Sequence, residues 1–303
     1  MYKSIVSLAP IVLFTYKRLD TLIQTVEALQ KNKLASDSDL IIFSDAAKTD
    51  NDKQDIAAVR DYLKSIAGFK TVTIYEAKCN KGLANSIIDG VTDVFKQYDG
   101  VIVLEDDLIT STNFLNYMNQ ALAFYENEAK VFSIAGFSTP IKDNDFNTDV
   151  YFTLRASSWG WATWKNKWEN IDWNVEDYNL FKNDKKRRIA FNQMGSDMSQ
   201  MLDRQMNGSI NSWAIRWCYH QFKNNLYSVH PLLSKVQNIG FNSEDASNTK
   251  EKYNRYETIL DNSNRKEFTF SKEIKLRPEI INQFTRPFSF YSRIIYKIKN
   301  TFF

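Results

Sequence analysis

The sequence predicts an α/β fold with a mainly parallel central sheet, and three observations carry that prediction. Short apolar runs alternate with helical patterns through the first 136 residues. Several of those runs end on polar, mostly acidic residues. The chain has 303 residues, 43% apolar and 25% charged, which is enough for a substantial core and ordinary for a globular protein.

The elements follow in order. Pro10 to Thr15 reads as a first strand, and residues 18–31 put Leu19, Leu22, Ile23, Val26 and Leu29 on one helical face. Leu40 to Ser44 is a second strand and Gln54–Ile66 a second helix. Lys70 to Tyr75, then residues 83–97, repeat the unit. Gly100 to Leu104 is a fourth strand and Asn113–Tyr125 a fourth helix. Such an order implies right-handed crossovers between parallel strands. After Val131–Gly136 the alternation stops. A polar loop at 140–149 precedes a Trp-rich segment, Arg155–Trp168, where Trp164 and Trp168 are expected on a helix packed against the sheet. Asp184–Met206 and Asn211–Asn225 read as helices. The organisation expected is an α/β half over 1–136, a second half of the same domain over 137–265, and a basic, aromatic tail over 266–303.

Composition excludes several classes. Lys and Arg number 39 against 36 acids, a net charge of +3, too balanced for a nucleic-acid binder. Cys79 and Cys218 form neither a disulfide framework nor a zinc motif, and two histidines, His220 and His230, exclude a multi-His metal site. The opening MYKSIVSLAPIVLFTYKR lacks a small-residue cleavage site, and no run reaches the ~20 apolar residues of a membrane span. The expectation is a cytoplasmic protein, soluble or peripheral at the inner face of the plasma membrane. The tail favours the peripheral reading: Arg286, Arg293, Lys297 and Lys299 lie among aromatic and Ile residues with no acid, which suits an anionic membrane surface. A C-terminal helix docked on the domain is the alternative.

In open α/β sheets ligands bind outside the carboxyl ends of the strands. The polar residues expected there are Thr15 with Arg18, Asp45, and the run Glu105-Asp106-Asp107 in VIVLEDDL. Neighbouring carboxylates suit a hard cation, Mn²⁺ or Mg²⁺, which neutralises the growing charge of a diphosphate leaving group. Strand alternation would aim Glu105 and Asp107 one way and Asp106 the other, unless the chain has already turned. Neither GxGxxG nor GxxxxGK[ST] is present, which argues against dehydrogenase and P-loop chemistry.

The set LFTYKR, FSDAAK and VLEDDL resembles the nucleotide-sugar half of a GT-A glycosyltransferase, in particular the N-acetylglucosaminyltransferase I type with its EDD variant of the DxD motif. The likeness continues through NFLNYM, SIAGFS, LRASSWGWATWKNKW, NSWAIRW and SKVQNIGF, covering residues 10–245, and similar segments occur in bacterial sugar transferases. The resemblance implies that Asp107 ligates the metal, that Asp106 contacts ribose or donor sugar, and that Glu105 lies near sugar hydroxyls. It further implies that Asp45 reads the uracil, that Arg18 serves the nucleotide, and that Ser158 and Trp159 shape the pocket. The 1–136 half would then bind the nucleotide-sugar and the 137–265 half the acceptor. The implied function is metal-dependent, inverting transfer from a nucleotide-sugar, a UDP-sugar, to a glycan or lipid-linked glycan in bacterial surface polysaccharide synthesis.

One departure stands out. The family's general base is an Asp in a Trp-Asp-Asp-Trp pattern, and here the run is Ile210-Asn211-Ser212-Trp213. An amide cannot take up a proton, so Asp203, Glu244 or Asp245 would serve, or the mechanism differs. Two other readings stay open: a sugar-1-phosphate nucleotidyltransferase, although LFTYKRLDT has no glycine, and a catalytically decayed nucleotide-sugar-binding protein.

Overall fold

In the computed structural model, which describes residues 8–142, 147–240, 255–256 and 258–302, the first apolar run forms β1 (Ile11–Thr15), buried throughout. The expected alternation follows as α1 (Leu19–Gln30), β2 (Asp39–Ser44), α2 (Lys53–Leu63), β3 (Thr71–Glu76), α3 (Leu83–Val94) and β4 (Gly100–Glu105). β1 lies between β2 and β4, parallel to both, and β3 extends the sheet beyond β2. The register sets Thr15 beside Ser44 and Phe14 beside Glu105, so these strands end along one edge.

The chain continues through β5 (Leu108–Thr110), α4 (Phe114–Tyr125), β6 (Val131–Ala135), β7 (Val150–Thr153), β8 (Trp161–Trp164) and α5 (Lys165–Trp168). Then come α6 (Tyr178–Asn183), α7 (Lys185–Phe191), α8 (Met198–Met206), α9 (Trp213–Lys223), β9 (Tyr227–Pro231), β10 (Val236–Asn238), α10 (Pro278–Phe284) and α11 (Phe290–Phe302). Eight strands make one sheet, in the order β3-β2-β1-β4-β8-β6-β9-β7, with only β8 and β7 running against the rest. This is a Rossmann-like α/β arrangement of the kind a GT-A fold has. β5 and β10 form a separate antiparallel pair that sets Asn238 opposite Leu108, just past the acids.

Two segments differ from expectation. The Trp-rich run is a strand, with Trp164 inside β8 and Trp168 closing the four-residue α5. Trp161 belongs to one core cluster, while Ala162 and Trp164 belong to the other. A strand covered on both faces carries no polar phase, so its period is invisible in the sequence. Trp161 packs on Trp168, Trp213 and Trp217 at 5.6, 5.1 and 4.5 Å between centroids, which makes these rings core rather than sugar platforms. Such aromatic pairs add about 0.5–1.5 kcal/mol each beyond burial.

The expected helix over 184–206 is broken at Gly195. There φ is +154°, and a Cβ would collide with the Arg155 guanidinium and come within 2.7 Å of Asp197 Oδ1. The break ends the helical path and turns Asp197 inward as the residue preceding α8. Among the described residues no helix is long and apolar enough to cross a membrane.

Candidate active site

The strand ends open into a cleft of about 1160 Å³, whose other wall is built from α8, the start of α9 and α11. β4 stops at Glu105, and Asp106 and Asp107 lie in the turn that follows. The chain has therefore turned before the second acid, and the pair that shares a partner is Asp106 with Asp107, not Glu105 with Asp107. Both meet Arg18, whose Nη2 donates to Asp106 Oδ1 at 2.5 Å and to Asp107 Oδ2 at 2.9 Å. The other oxygen of Asp106 accepts from Thr15 Oγ1 at 3.0 Å and from the Tyr16 amide at 3.1 Å. Four residues from two adjacent strand ends are thus joined through one carboxylate.

The charges do not balance locally. Three acids face one guanidinium. Burial, then Asp107 and Asp106, push the Glu105 carboxyl up to about 8, against the pull of Arg18. Asp107 is also raised, by burial first and by Asp106, with Arg18 acting the other way. Desolvation lowers the Arg18 pKa, but the two aspartates outweigh it and keep the group charged.

Surplus negative charge is what a divalent cation would relieve, and the donor set fits one. Among the described residues Asp107 Oδ1 meets one side chain, Asn238 Nδ2 at 3.4 Å, which leaves room for a further ligand. Among the described residues no group of three or more His, Cys, Asp or Glu could hold a metal alone. A hard cation at Asp107 would therefore take its remaining ligands from phosphate and water, as Mg²⁺ and Mn²⁺ commonly do. Gly240 completes the cradle: a Cβ there would collide with Asp107 Oδ2 and approach Arg18 Nη1 to 2.8 Å.

Asp45 sits at the end of β2, 8% exposed. Its Oδ1 accepts from the Ala46 and Lys81 amides at 2.8 and 2.9 Å. Its Oδ2 accepts from the Gly82 amide at 2.9 Å and from Asn80 Nδ2 at 3.1 Å. The carboxylate thereby fixes the loop that enters α3, and the residue lines the cleft. Phe14 and Phe43 form a stacked pair beside it, 5.2 Å between centroids, and both line the cleft.

Across the cleft, Ser157, Ser158 and Trp159 line the wall, with Trp159 edge-on to Phe137 and Tyr256 at 4.8 and 5.4 Å. Asn211 is exposed and lines the cleft just before Ser212, whose hydroxyl caps α9. Asp203 is not among the lining residues. It is held by Arg188 through two bonds of 2.8 and 2.7 Å and by the Tyr178 hydroxyl at 3.0 Å. Glu244 and Asp245 lie outside the described residues.

Asp197 had escaped the motif reading, and Asn238 and Gly240 lay within SKVQNIGF with no role assigned. Asp197 faces in and pairs with Arg155 at 3.3 Å, while Arg155 also donates to the Met194 carbonyl and lies 4.0 Å over the Phe288 ring. Burial pushes the Asp197 carboxyl up, yet Arg155 and Arg293 hold it below its ordinary value. Asn238 and Gly240 brace Asp107. A helix interrupted by Gly195-Ser196-Asp197 was the available signal for the first, and NIG after an apolar run for the others.

No known protein family matches the chain, and no curated protein is similar to it in sequence. Among solved structures it is similar to a mannosyltransferase, PcManGT from Pyrobaculum calidifontis, in complex with GDP-Man and Mn²⁺. Identity is 13% and the TM-score 0.40, over 55% of this chain and 46% of that one. It is also similar to S. aureus TarS, at 13% identity and a TM-score of 0.30, over 45% of this chain and 22% of that one. The chain therefore spans under half the length of either structure.

Proposed function

We propose that the protein is a metal-dependent, inverting glycosyltransferase that moves a sugar from a UDP-sugar to a glycan acceptor in bacterial surface polysaccharide synthesis. The observation that carries this reading is the Arg18–Asp106–Asp107 junction beside a half-buried Glu105, at the carboxyl edge of a parallel sheet. In this reading Asp107 holds Mn²⁺ or Mg²⁺, which supplies charge neutralisation to the leaving diphosphate. Arg18 keeps the two aspartates aimed, and Thr15 and the Tyr16 amide hold Asp106 still. The Phe14–Phe43 pair offers an apolar face to the base, and Trp159 with Ser158 bounds the sugar.

Asn211 can orient an acceptor hydroxyl but not deprotonate it. Asp203 is committed to Arg188, so a proton-accepting acid would be Glu244 or Asp245, which follow Gly240 by four and five residues in sequence. The nucleotidyltransferase alternative has no glycine-rich loop at Thr15–Arg18, where this chain uses side chains instead. The decayed-binder alternative rests on Asn211. Donor hydrolysis measured with and without EDTA separates both from a working transferase.

The direct test is Asp107→Ala. Calorimetric titration of UDP with Mn²⁺ should lose its metal-dependent affinity while the circular dichroism spectrum stays unchanged. Retained affinity would remove Asp107 from the site. For the tail, exposed Tyr291 and Ile298 beside Lys299, all outside the cleft lining, support peripheral attachment to anionic lipid. Sedimentation with phosphatidylglycerol vesicles at low salt should carry the protein down, and its absence would end the membrane reading.

A further inference from the structure

The cleft is electrically divided. On the strand-end half the lining charges are Lys17, Arg18 and Lys48 against Asp45, Glu105, Asp106 and Asp107. On the helical half five basic residues line it, Arg155, Arg204, Arg255, Arg293 and Lys297, against Asp197 alone among the described acids. Lys17 and Arg18 are spent on carboxylates, Lys17 on Asp52 at 3.1 Å. Arg204, Arg293 and Lys297 form no ion pair among the described residues, and Arg204 and Lys297 are exposed.

These three cations come from two helices that are tied together. Arg293 Nη1 donates to Ser196 Oγ at 3.2 Å, and the Ser196 amide donates to the Phe288 carbonyl at 3.1 Å. Ser196 lies two residues before α8, which carries Arg204, while Arg293 and Lys297 stand one turn apart on the cleft face of α11. Phe290 and Ile294 line the cleft on the same helix. Arg293 also acts on Asp197, but one acid offsets little of the charge that this wall carries, and Arg and Lys donors lining one cleft suit phosphate oxygens.

We propose that Arg204, Arg293 and Lys297 bind a phosphate group of the acceptor, so that the acceptor is a phosphate-bearing glycan or lipid. This rests on the transferase reading given above and names the substrate class at its second half. The phosphate can belong to a lipid diphosphate or to a water-soluble phosphate ester, and the apolar Phe290 and Ile294 distinguish the two.

The experiment titrates inorganic pyrophosphate, and separately farnesyl diphosphate, into the full chain by calorimetry in EDTA, where metal-dependent donor binding is absent. Saturable binding is expected, weakened ~10-fold for each charge reversed in Arg204→Glu and Lys297→Glu. Farnesyl diphosphate binding tighter than pyrophosphate would assign the phosphate to a lipid, and equal affinities to a soluble ester. No saturable binding, or binding unchanged in the Arg204→Glu/Lys297→Glu double variant, would overturn the proposal. Binding of UDP with Mn²⁺ by that variant is read separately, so a failed phosphate site and a failed donor reading are told apart.

Discussion

The two walls of the cleft solve the burial of charge in opposite ways. At the strand ends, carboxylates outnumber cations, yet Asp45 and Asp106 have their oxygens satisfied by amides, hydroxyls or Arg18. On the helical wall cations outnumber acids among the described residues, and there Arg204 and Lys297 pair with no carboxylate. The first wall is pre-organised: backbone parallelism fixes where each side chain starts, and hydrogen bonds fix where it ends. The second is assembled from α8, the start of α9 and α11, the last far off in sequence, and among the described residues it carries more cations than acids. Rigid geometry suits a diphosphate and a metal, whereas unspent charge suits a variable partner.

The largest expected effect lies on the helical wall and tests whether it lacks a base. If Asn211 stands where a proton acceptor belongs, Asn211→Asp accelerates single-turnover transfer by ~10²–10⁴, with a new apparent pKa above which the rate is high. An unchanged rate would move the base to Glu244 or Asp245, and alanine at the right one should then nearly stop transfer. Asp197 is not expected to substitute, because its pair with Arg155 and its lowered pKa make it a weak acceptor.

Next is acid sensitivity, which should loosen the helical wall first. His230 is fully buried, with Nδ1 2.9 Å from the Phe137 carbonyl and Nε2 3.2 Å from that of Arg155. Tyr151 stacks on the ring and Phe284 meets it edge-on, and no acid bonds it among the described residues. Burial lowers its pKa to about 4, although the two carbonyls raise it. The folded state thus binds this proton less readily than the unfolded chain. Stability from this site is whole above pH ~6.5 and is lost as pH falls toward about 4, by roughly 3 kcal/mol in all. Urea unfolding at pH 7.5 and pH 5 measures it, and His230→Gln should flatten the difference. An equal slope in both proteins would show that other groups carry the acid response.

The smallest effect on stability, with a sharp effect on function, concerns two glycines. Gly240→Ala must displace Asp107 or Arg18, and a shift of ~1 Å at a reacting centre costs ~10²-fold in rate. Gly208, with φ +78° and open space around it, follows α8 outside the cleft lining and serves as the control. Gly208→Ala should cost only about 1 kcal/mol of stability through backbone strain and leave UDP–Mn²⁺ binding untouched. If both substitutions alter binding equally, the bracing of Asp107 by Gly240 is not special.

Helix and strand order through β4 was legible because apolar periods of 3.6 and 2 are local properties of the chain. For the same reason Thr15, Arg18, Asp45 and the acids could be assigned to one sheet edge: parallel strands end together. The sequence could not show that the chain turns before Asp106, since alternation describes a strand and not its exit. It could not show β8 either, whose Trp161 and Trp164 face two different cores and so leave no polar phase. The sequence put forward Asp203 as a candidate and passed over Asp197. Arg188 claims the first and the Gly195 break delivers the second to the cleft, both through contacts between segments separated in the chain. Local patterning determined which residues share an edge. Only tertiary packing decided which charges meet partners and which remain unspent, because pairing depends on distances across helices and strands that no periodicity encodes.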